Sequence, residues 1–324
     1  MLTHRKYRPR QMAGPLAVLT VVGLLAGCAA DSYKATVGEF ADAVSKADTA
    51  LQTLHTEMNR NTTELRFRQA AAGKVKISPP DDSCARTAED CRLMVDQNGK
   101  LTTLPSATDE FKAGELMHGL ARYANNLKAI VESDSGAKAT EHLNAAAGSL
   151  QSLGKAAGKD TTGLGQFAVP VGNLLAWAVG EYVNLLQVQY LRDATSKGSG
   201  YVTGASSAAR AVASNEQKTI RSATYKGFTD ANEEYISAVK NHAAFDKLVA
   251  SAAAYDAVLK THADAVFTAL DDAHDKLAKR LAGKDVTPAE LAAAVQGFSA
   301  KVDAFWKLIQ AVEAAAKPSD KPKQ

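Results

Sequence analysis

Hydrophobic side chains recur along much of this chain in alternating steps of three and four residues, which is the spacing of one helical face. The pattern predicts long helices over residues 32–72, 248–281 and 288–316. The hydrophobic seam of the first consists of Val37, Phe40, Val44, Ala47, Leu51, Leu54, Met58 and Leu65. A seam with this period packs a helix almost parallel to its neighbours. The pattern therefore predicts an all-α fold, an elongated multi-helix bundle, and argues against a globular α/β domain.

Residues with strong capping preferences mark where several helices begin and end. Thr287, Pro288 and Glu290 form an N-cap, a proline at the first helical position and a capping-box acid. Gly283 ends the preceding helix, because glycine readily adopts the left-handed conformation found after helices. Two shorter helices are predicted over residues 109–133 and 137–157. The Gly-Ser-Gly sequence at 198–200 predicts a break between helices.

One stretch, residues 73–105, does not follow the helical period. Within it, Asn98-Gly99 separates two runs of mixed apolar and polar residues. Both turn residues tolerate the positive φ of a type I′ turn, so the pattern predicts a β-hairpin. An isolated hairpin is marginally stable in water, and residues 74–78 could supply a third strand. We expect this small excursion to project from the bundle, with Asn98 and Gly99 as candidate interaction residues at its tip.

Residues 164–191 form a strongly apolar segment in which Glu181 is the only charged residue. A helix that is apolar all round lies either at the centre of a bundle or in a membrane. We interpret the segment as the apolar central helix of the bundle, with Glu181 paired to Arg192 or to another cation from a neighbouring helix. The alternative is an element that leaves the bundle and inserts into a bilayer.

The N-terminus has the composition of an export signal. Basic residues precede an uncharged apolar run over 13–25, which is too short for a comfortable membrane span. The run ends in Leu25-Ala26-Gly27-Cys28. This ending resembles the lipobox of the bacterial lipoprotein class, and the resemblance covers only residues 1–28. An ordinary signal peptide that happens to contain a cysteine is the alternative.

The resemblance implies that residues 1–27 are a signal peptide that is removed, and that Cys28 is then acylated, for example with palmitate. Two or three acyl chains hold a protein firmly on a membrane. Proteins of this class that stay in the inner membrane have aspartate after the cysteine, whereas this chain has Ala29. The resemblance therefore implies an outer-membrane lipoprotein with its helical-bundle domain, residues 28–316, in the periplasm. Residues 317–324 are predicted to be a flexible tail.

Removal of the signal changes the charge of the chain. The sequence has 38 Lys and Arg residues against 35 Asp and Glu residues, and four of the basic residues precede Cys28. Subtracting those four leaves 34 bases against 35 acids, a net charge of −1. Such a chain has no basic field that would attract nucleic acid or anionic lipid. We therefore expect no nucleic-acid partner.

Cys84 and Cys91 remain once Cys28 is assigned to the lipid. An even pair in a compartment that oxidises thiols favours a disulfide. The rival is a metal site, but the cysteines do not have a zinc-ligand spacing and no histidine lies near them in sequence. We expect a disulfide that pins the β-hairpin excursion and stabilises it by about 2–3 kcal/mol.

No catalytic or cofactor motif is recognisable in the sequence. The histidines form no H-E-x-x-H pair, and no serine lies in a nucleophile motif. His262 lies on a predicted core seam, so we interpret it as a hydrogen-bonded core residue, and we expect the other histidines at the surface. The expectation is a protein without enzymatic activity, cofactor or metal.

Three functional hypotheses follow from these observations. We favour a lipid-anchored, non-enzymatic interaction or scaffold protein of the bacterial cell envelope, whose partners are the membrane and an unidentified envelope protein. The second hypothesis is a membrane-perturbing bundle that inserts residues 164–191. The third is a carrier that holds an apolar ligand between its helices.

Overall fold

The computed structural model describes residues 16–71, 73–78, 92–97, 99–105, 111–157, 179–237 and 241–316, with side chains in the first helix described from residue 33 onward. These residues form seven helices and one three-stranded sheet. Their order is α1 (Leu16–Ala71), β1 (Lys76–Ser78), β2 (Met94–Gln97), β3 (Lys100–Thr103), α2 (Lys112–Glu132), α3 (Gly136–Ala156), α4 (Val179–Ser237), α5 (His242–Lys260), α6 (Ala263–Leu281) and α7 (Pro288–Ala316). The predicted helical bundle with a small β-excursion is confirmed.

Polar contacts show that α2 runs antiparallel to α1. Lys128 Nζ donates a hydrogen bond to Asp42 at 2.9 Å. His118 Nδ1 lies 3.2 Å from Asp48 Oδ2. Residue numbers therefore rise along α1 where they fall along α2. This is the arrangement expected for helices whose seams pack nearly parallel to one another.

The longest helix, α4, is the central one and runs parallel to α1. Gln187 Nε2 donates to the carbonyl of Ser133 at 2.7 Å, and Tyr123 Oη donates to the carbonyl of Ala194 at 3.3 Å. α4 is thus antiparallel to α2, and it also contacts α1, α3, α5 and α6. The C-terminal ends of α1 and α4 consequently lie at the same end of the bundle, which we call the distal end. The opposite end is the proximal end.

The core is built from apolar side chains on the helix seams, and it thins toward the distal end. Phe40 and Phe298 are fully buried and their rings lie 6.1 Å apart. The last large apolar core residues toward the distal end are Leu54 on α1, Ile220 on α4 and Val258 on α5. Beyond them, the buried residues that α4 and α5 contribute are small: Ala231, Ala244, Ser251 and Ala254. We call residues 221–237 and 242–257 the distal arm.

The predicted end of α6 and start of α7 are confirmed. Gly283 has a φ of +72° just after α6, and its N–H donates to the carbonyl of Arg280 at 3.1 Å. At the start of α7, the N–H of Thr287 donates to Glu290 Oε2 at 2.7 Å. The N–H of Glu290 donates in return to Thr287 Oγ1 at 3.2 Å. These reciprocal bonds are those of a capping box.

The predicted break at residues 198–200 is wrong. α4 continues through these glycines without interruption. Ser199 Oγ donates to the carbonyl of Thr195 at 2.9 Å, a back-bond within a continuous helix. A Cβ on Gly198 would lie only 2.7 Å from Tyr123 Oη. Glycine at this position therefore permits close packing of α4 on α2, and it does not end the helix.

The single helix predicted over 248–281 is two helices. Thr261 has an extended backbone, φ −101° and ψ 136°, between α5 and α6. Gln217 of α4 bridges the junction. Its Nε2 donates to the carbonyls of Val258, at 3.2 Å, and Thr261, and its Oε1 accepts from the N–H of Ala263 at 2.9 Å. Both helices pack on α4, so the hydrophobic spacing persists across a break that the sequence pattern does not reveal.

The core position predicted for His262 is also wrong, because this residue is the exposed N-cap of α6. The break before α6 removes it from the seam. The buried histidine is His274, which is 2% exposed. The surface position predicted for His274 is therefore wrong as well.

The sheet occupies the predicted excursion and gains its third strand. β2 and β3 pair antiparallel, with Gln97 opposite Lys100. Gly99 between them has a φ of +80°, as a tight hairpin turn requires, and its N–H donates to Asp96 Oδ1 at 2.8 Å. β1 adds antiparallel to β2, so the strand order is β1-β2-β3. The sheet therefore does not rest on one hairpin alone.

The sheet is fixed to the distal end of α1 by a small apolar cluster. Val75, Val95 and Leu104 are its buried members, and Ala70 of α1 packs against them. Thr63 Oγ1 also donates to the carbonyl of Pro105 at 3.3 Å, where the chain leaves the sheet. Packing on a helix is one of the means by which a small sheet becomes stable in water.

Several predictions concern residues outside the described ones. Cys84 and Cys91 belong to this group, so the disulfide stays a prediction, as does the turn conformation of Asn98. The same holds for residues 164–178 of the apolar segment and for the tail 317–324. α1 begins at Leu16, well before the predicted start at residue 32. The Ala and Leu residues of the apolar run that precedes Cys28 have high helix propensity, and the helix continues upstream through this run.

Candidate functional site

Ionisable and polar side chains, some buried and one of them, His118, exposed, gather along one line between α1, α2 and α4. We call this line the polar seam and define it by Asp48, His55, Asn59, His118 and Glu216. On α1 its members follow a heptad step, since Asp48 and His55 are seven residues apart. Helical residues at this spacing lie on one face. The polar seam therefore runs beside the apolar seam of the same helix.

His55 makes the closest contacts in the polar seam. Its Nδ1 lies 2.9 Å from Glu216 Oε1, and Asn59 Nδ2 donates to its Nε2 at 3.1 Å. The His55 Nδ1–H is thus the donor to Glu216. The imidazole also stacks on Phe111, with ring centroids 3.9 Å apart and planes inclined by 5°. Both ring nitrogens and one ring face are engaged within the protein.

The carboxylates of the polar seam lie in a weakly polar environment. Burial raises the pKa of Glu216, while the hydrogen bond and charge of His55 act in the opposite direction. Glu216 Oε2 is buried, and no described residue forms a hydrogen bond with it. Burial likewise raises the pKa of Asp48 against the influence of His118. Because an incompletely paired buried charge is costly, these groups favour one alignment of α1, α2 and α4.

The geometry of the polar seam suits the alignment of helices better than acid–base chemistry. A general base needs a nitrogen or oxygen within reach of a bound substrate. Two surface grooves, of about 540 and 650 Å³, lie elsewhere, the first between α1, α2 and α7 and the second beside β1. Neither is lined by His55 or Glu216. Within the described ranges, no group of three or more His, Cys, Asp or Glu side chains could hold a metal ion.

A second buried polar contact lies in the middle of the core. His274 Nε2 and Tyr123 Oη are 3.0 Å apart, and because Tyr123 Oη donates to the carbonyl of Ala194, the imidazole N–H is the donor to the phenol oxygen. Burial lowers the pKa of His274 to about 4, against the charge of Asp275. Burial also raises the pKa of Tyr123. Both side chains are therefore neutral near pH 7, and their contact joins α2, α4 and α6.

Exposed hydrophobic side chains are concentrated at the distal end. In the part of the chain that the structure describes, the large exposed ones are Phe67, Leu93, Leu101, Leu185, Tyr225, Ile236, Phe245, Val249 and Leu259. All except Leu185 lie at or beyond the level of the His55–Glu216 contact. Ile236 is 71% exposed and Leu101 is 55% exposed. Large contiguous patches of exposed apolar side chains are a feature of interaction surfaces, so the distal end is the candidate binding region of the described residues.

Aromatic rings contact one another between the two helices of the distal arm. The Tyr225 and Tyr255 ring centroids lie 5.5 Å apart, and those of Tyr235 and Phe245 lie 5.8 Å apart. Lys247 Nζ adds an exposed ion pair with Glu234 at 2.5 Å. Such an ion pair is worth little in water. Ile236 and Val249 of the arm are more than half exposed, so its two helices leave apolar surface uncovered.

The site residues predicted from the sequence lie in separate parts of the fold. Cys28 lies in α1, at a position where only the backbone is described. Gly99 lies at the tip of the sheet, at the distal end. Arg192 Nε donates to the carbonyl of Leu281 at 2.6 Å. The side chain of Glu181, its predicted partner, is outside the described residues, so that ion pair stays a prediction.

The described part of the apolar segment 164–191 belongs to α4. Leu186 and Tyr190 are buried there, whereas Leu185 is 51% exposed. Tyr190 Oη lies 3.1 Å from Thr140 Oγ1 of α3. Across the described ranges, no helix has both the length and the hydrophobicity needed to span a bilayer.

Sequence reasoning missed the polar seam, although a signal was present. The heptad step from Asp48 to His55 continues from Ala41, which is fully buried. Polar residues that continue a buried heptad position are expected to be buried and paired. Glu216 and Phe111 carry no comparable signal, because their proximity to His55 depends on how α2 and α4 pack.

No protein family, no curated protein and no solved structure matches this chain. Evidence for its function therefore comes from the geometry of the described residues and from the lipobox-like sequence that ends at Cys28.

Proposed function

We propose that this chain is a lipid-anchored, non-enzymatic interaction protein of the bacterial cell envelope. In this proposal Cys28 carries the lipid in the outer membrane, the bundle lies in the periplasm, and the distal end binds an envelope protein. The observation that carries the proposal is the concentration of exposed hydrophobic side chains at the end of the bundle opposite Cys28.

The continuity of α1 supports the proposed geometry. One helix contains both Cys28 and Ala71, beside which the sheet is fixed. About 43 residue steps at about 1.5 Å each separate these two positions by about 65 Å along the helix axis. A lipid on Cys28 would therefore hold one end of a rigid rod, and the sheet and distal arm would be presented far from the membrane surface.

The interior contacts support a non-enzymatic role. The two nitrogens of His55 bond to Glu216 and Asn59, and His274 bonds to Tyr123. These contacts are among those that join the helices of the core through ionisable side chains. Each joins two or more helices, and a rigid scaffold needs that kind of cross-link.

Photo-crosslinking in intact cells tests the binding surface. A benzoylphenylalanine at Phe245, which is 44% exposed at the distal end, should give a specific adduct with an envelope protein. The matched control is the same residue at Leu185, which is 51% exposed at the proximal end. Equal adducts from both positions, or none from Phe245, would contradict the proposal.

Labelling with radioactive palmitate tests the anchor. The chain should take up label and fractionate with the outer membrane, and a Cys28→Ala variant should do neither. A labelled chain that is found in the inner membrane would retain the tether and refute the proposed location. An unlabelled chain would refute the tether itself.

The proposal includes a Cys84–Cys91 disulfide between β1 and β2. Alkylation of the unfolded chain before and after reduction counts the free thiols of the chain isolated from cells. We expect Cys84 and Cys91 to react only after reduction. A Cys84→Ser, Cys91→Ser variant should lose about 2–3 kcal/mol of stability. Free thiols in the isolated chain would exclude the disulfide.

A further inference from the structure

The distal arm carries its large apolar side chains on a surface that is only partly covered. Along α4 and α5 these side chains follow alternating steps of three and four residues, so each set lies on one side of its helix. Ring contacts of Tyr225 with Tyr255, and of Tyr235 with Phe245, show that the two sets face each other. We call this surface the arm face, and it consists of Tyr225, Phe228, Asn232, Tyr235, Phe245, Leu248, Ala252, Tyr255 and Leu259.

The exposure of the arm face is the reverse of that of the seams in the body of the bundle. The seam of α1 has the same spacing, and Phe40, Leu51 and Leu54 on it are at most 1% exposed. Every residue of the arm face is half-buried or exposed, whereas the arm buries small side chains such as Ala231 and Ala244. Large apolar side chains at this spacing form the knobs and holes into which a further helix packs. The described helices leave that position at the arm face incompletely filled.

Asn232 interrupts the aromatic and aliphatic residues of the arm face. It is half-buried between Phe228 and Tyr235, and no described residue forms a hydrogen bond with its side-chain amide. A segment that covers Asn232 must offer it a hydrogen-bonding group, because a buried amide without a partner is costly. A single polar position in an apolar seam also selects which helix packs there and in which register.

Two charges beside the arm face have no ion pair with a described residue. Arg221 lies at the base of the arm and Glu233 lies nearer its tip, and both are exposed. Lys226, Lys247 and Lys260 instead pair with carboxylates inside the arm. Twelve residue steps along α4 separate Arg221 from Glu233 by about 18 Å. A helix of complementary charge therefore has an acidic residue at one end of the contact and a basic residue at the other.

A second copy of this chain matches neither Asn232 nor Arg221. Copies tethered to one membrane point the same way, so a two-fold pairing of their arm faces lays α4 of each copy beside α5 of the other. The ring contacts within the arm place Asn232 level with Leu248, and Arg221 level with Lys260. In such a pair Asn232 would meet an apolar side chain and Arg221 would meet a cation. The arm face therefore fits a helix of a different protein better.

We infer that the arm face binds one amphipathic α-helix of another envelope protein, and that this helix carries a hydrogen-bonding side chain opposite Asn232. The inference rests on the proposed function and names the kind of segment that the distal end binds. Apolar residues of the bound helix would recur at helical spacing. They would extend over about 21 Å, the distance along α5 from Phe245 to Leu259.

Crosslinks from these two positions measure the rise per residue of the bound segment. Benzoylphenylalanine is placed singly at Phe245 and at Leu259 of the full chain in intact cells; the two residues are 44% and 46% exposed. The attached residues of the partner are then mapped by mass spectrometry. A helix along α5 should be attached at sites about fourteen residues apart, whereas an extended strand would be attached at sites about six residues apart. Strand-like spacing, sites in unconnected segments, or attachment to a second copy of this chain would overturn the inference.

A substitution at Asn232 tests the polar pairing. In the chain with benzoylphenylalanine at Phe245, Asn232→Leu leaves the polar group of the bound helix unpaired, and the adduct yield should fall by up to about ten-fold. A purely apolar partner surface predicts a higher yield instead, because leucine adds apolar contact. The matched control is Asn215→Leu, at an exposed position of α4 below the arm, which should leave the yield unchanged. An unchanged or higher yield with Asn232→Leu contradicts the pairing, and thermal melting of both variants checks that they fold.

The outcomes are separable from that of the proposed function. Absence of any adduct from Phe245 contradicts the proposed function itself. An adduct from Phe245 with an envelope protein whose attachment sites lack helical spacing retains the proposed function and overturns the inference. The spacing measurement needs no substitution at Asn232, so it stands whatever that substitution does to the fold.

Discussion

Gly198 and Gly200 lie two residues apart on α4 and should respond oppositely to the same substitution. A Cβ on Gly198 would lie 2.7 Å from Tyr123 Oη and 3.0 Å from Tyr123 Cζ. A Cβ on Gly200 would meet no atom within 4 Å. Gly198→Ala must therefore displace the buried Tyr123 ring or α4 itself, whereas Gly200→Ala displaces nothing.

The two effects can be estimated from their components. Replacing a helical glycine with alanine stabilises the helix by about 1 kcal/mol. Forcing a methyl group into a packed core costs about 1–3 kcal/mol. A displaced Tyr123 also weakens its 3.0 Å contact with His274, which is worth about 0.5–1.5 kcal/mol. We expect Gly198→Ala to lower the free energy of unfolding by about 0.5–3.5 kcal/mol, and Gly200→Ala to raise it by up to about 1 kcal/mol.

Urea unfolding followed by far-ultraviolet circular dichroism measures both changes. The protein is the chain from residue 28 onward, with Cys28→Ala to exclude lipid. Tyr123→Phe removes the oxygen that a methyl at Gly198 would strike, so the double variant should lose less stability than the sum of the single variants. Equal effects of Gly198→Ala and Gly200→Ala would refute the packing of α4 on Tyr123 and restore the break predicted from the sequence.

Three further predictions concern the buried polar groups. Burial lowers the pKa of His274 to about 4 from an ordinary value of 6.5, so the unfolded chain binds the proton first. Stability should therefore fall between about pH 6.5 and pH 4, by at most on the order of 3 kcal/mol, and a His274→Asn variant should lack this loss in urea unfolding at each pH. Burial raises the pKa of Glu216. The folded chain should therefore lose stability relative to the unfolded chain as the pH rises through that pKa. Glu216→Gln keeps the acceptor for His55 and should be at least as stable at pH 7; a large loss in thermal melting would show that the charge itself is needed. Gln217→Leu leaves the backbone groups at the α5–α6 junction unpaired and should lower the free energy of unfolding by about 2–4 kcal/mol. The control is Gln189→Leu, at an exposed position of α4, which should change that free energy by less than about 0.5 kcal/mol. Similar losses from both glutamine variants would argue against the junction contact.

Local signals predicted much of the fold correctly. The capping box at Thr287 and Glu290 and the glycine stop at Gly283 depend on residues a few positions apart, and the structure shows their hydrogen bonds as expected. The register of the hairpin around Gly99 also depends on residues a few positions apart. These features are set by neighbouring backbone geometry, so a sequence pattern is enough to reveal them.

The errors occurred where another helix decides the outcome. Gly198 reads as a helix breaker in isolation, but Tyr123 of α2 makes its missing side chain a packing requirement. The seam that includes His262 continues past Thr261 without a visible break, and Gln217 of α4 provides the bonds that stabilise that break. Helix propensity is a weak preference that tertiary contacts override.

The sequence alone determined the helical class of this protein, the position of its small sheet and the ends of its last helices, because short-range spacing and capping govern those features. Only the tertiary structure decided that His55 and Glu216 meet, that His274 is the buried histidine, and that exposed apolar side chains gather at the distal end. Those properties depend on which surfaces of separate helices face one another. A one-dimensional pattern shows that a helix has an apolar face but does not identify what covers it.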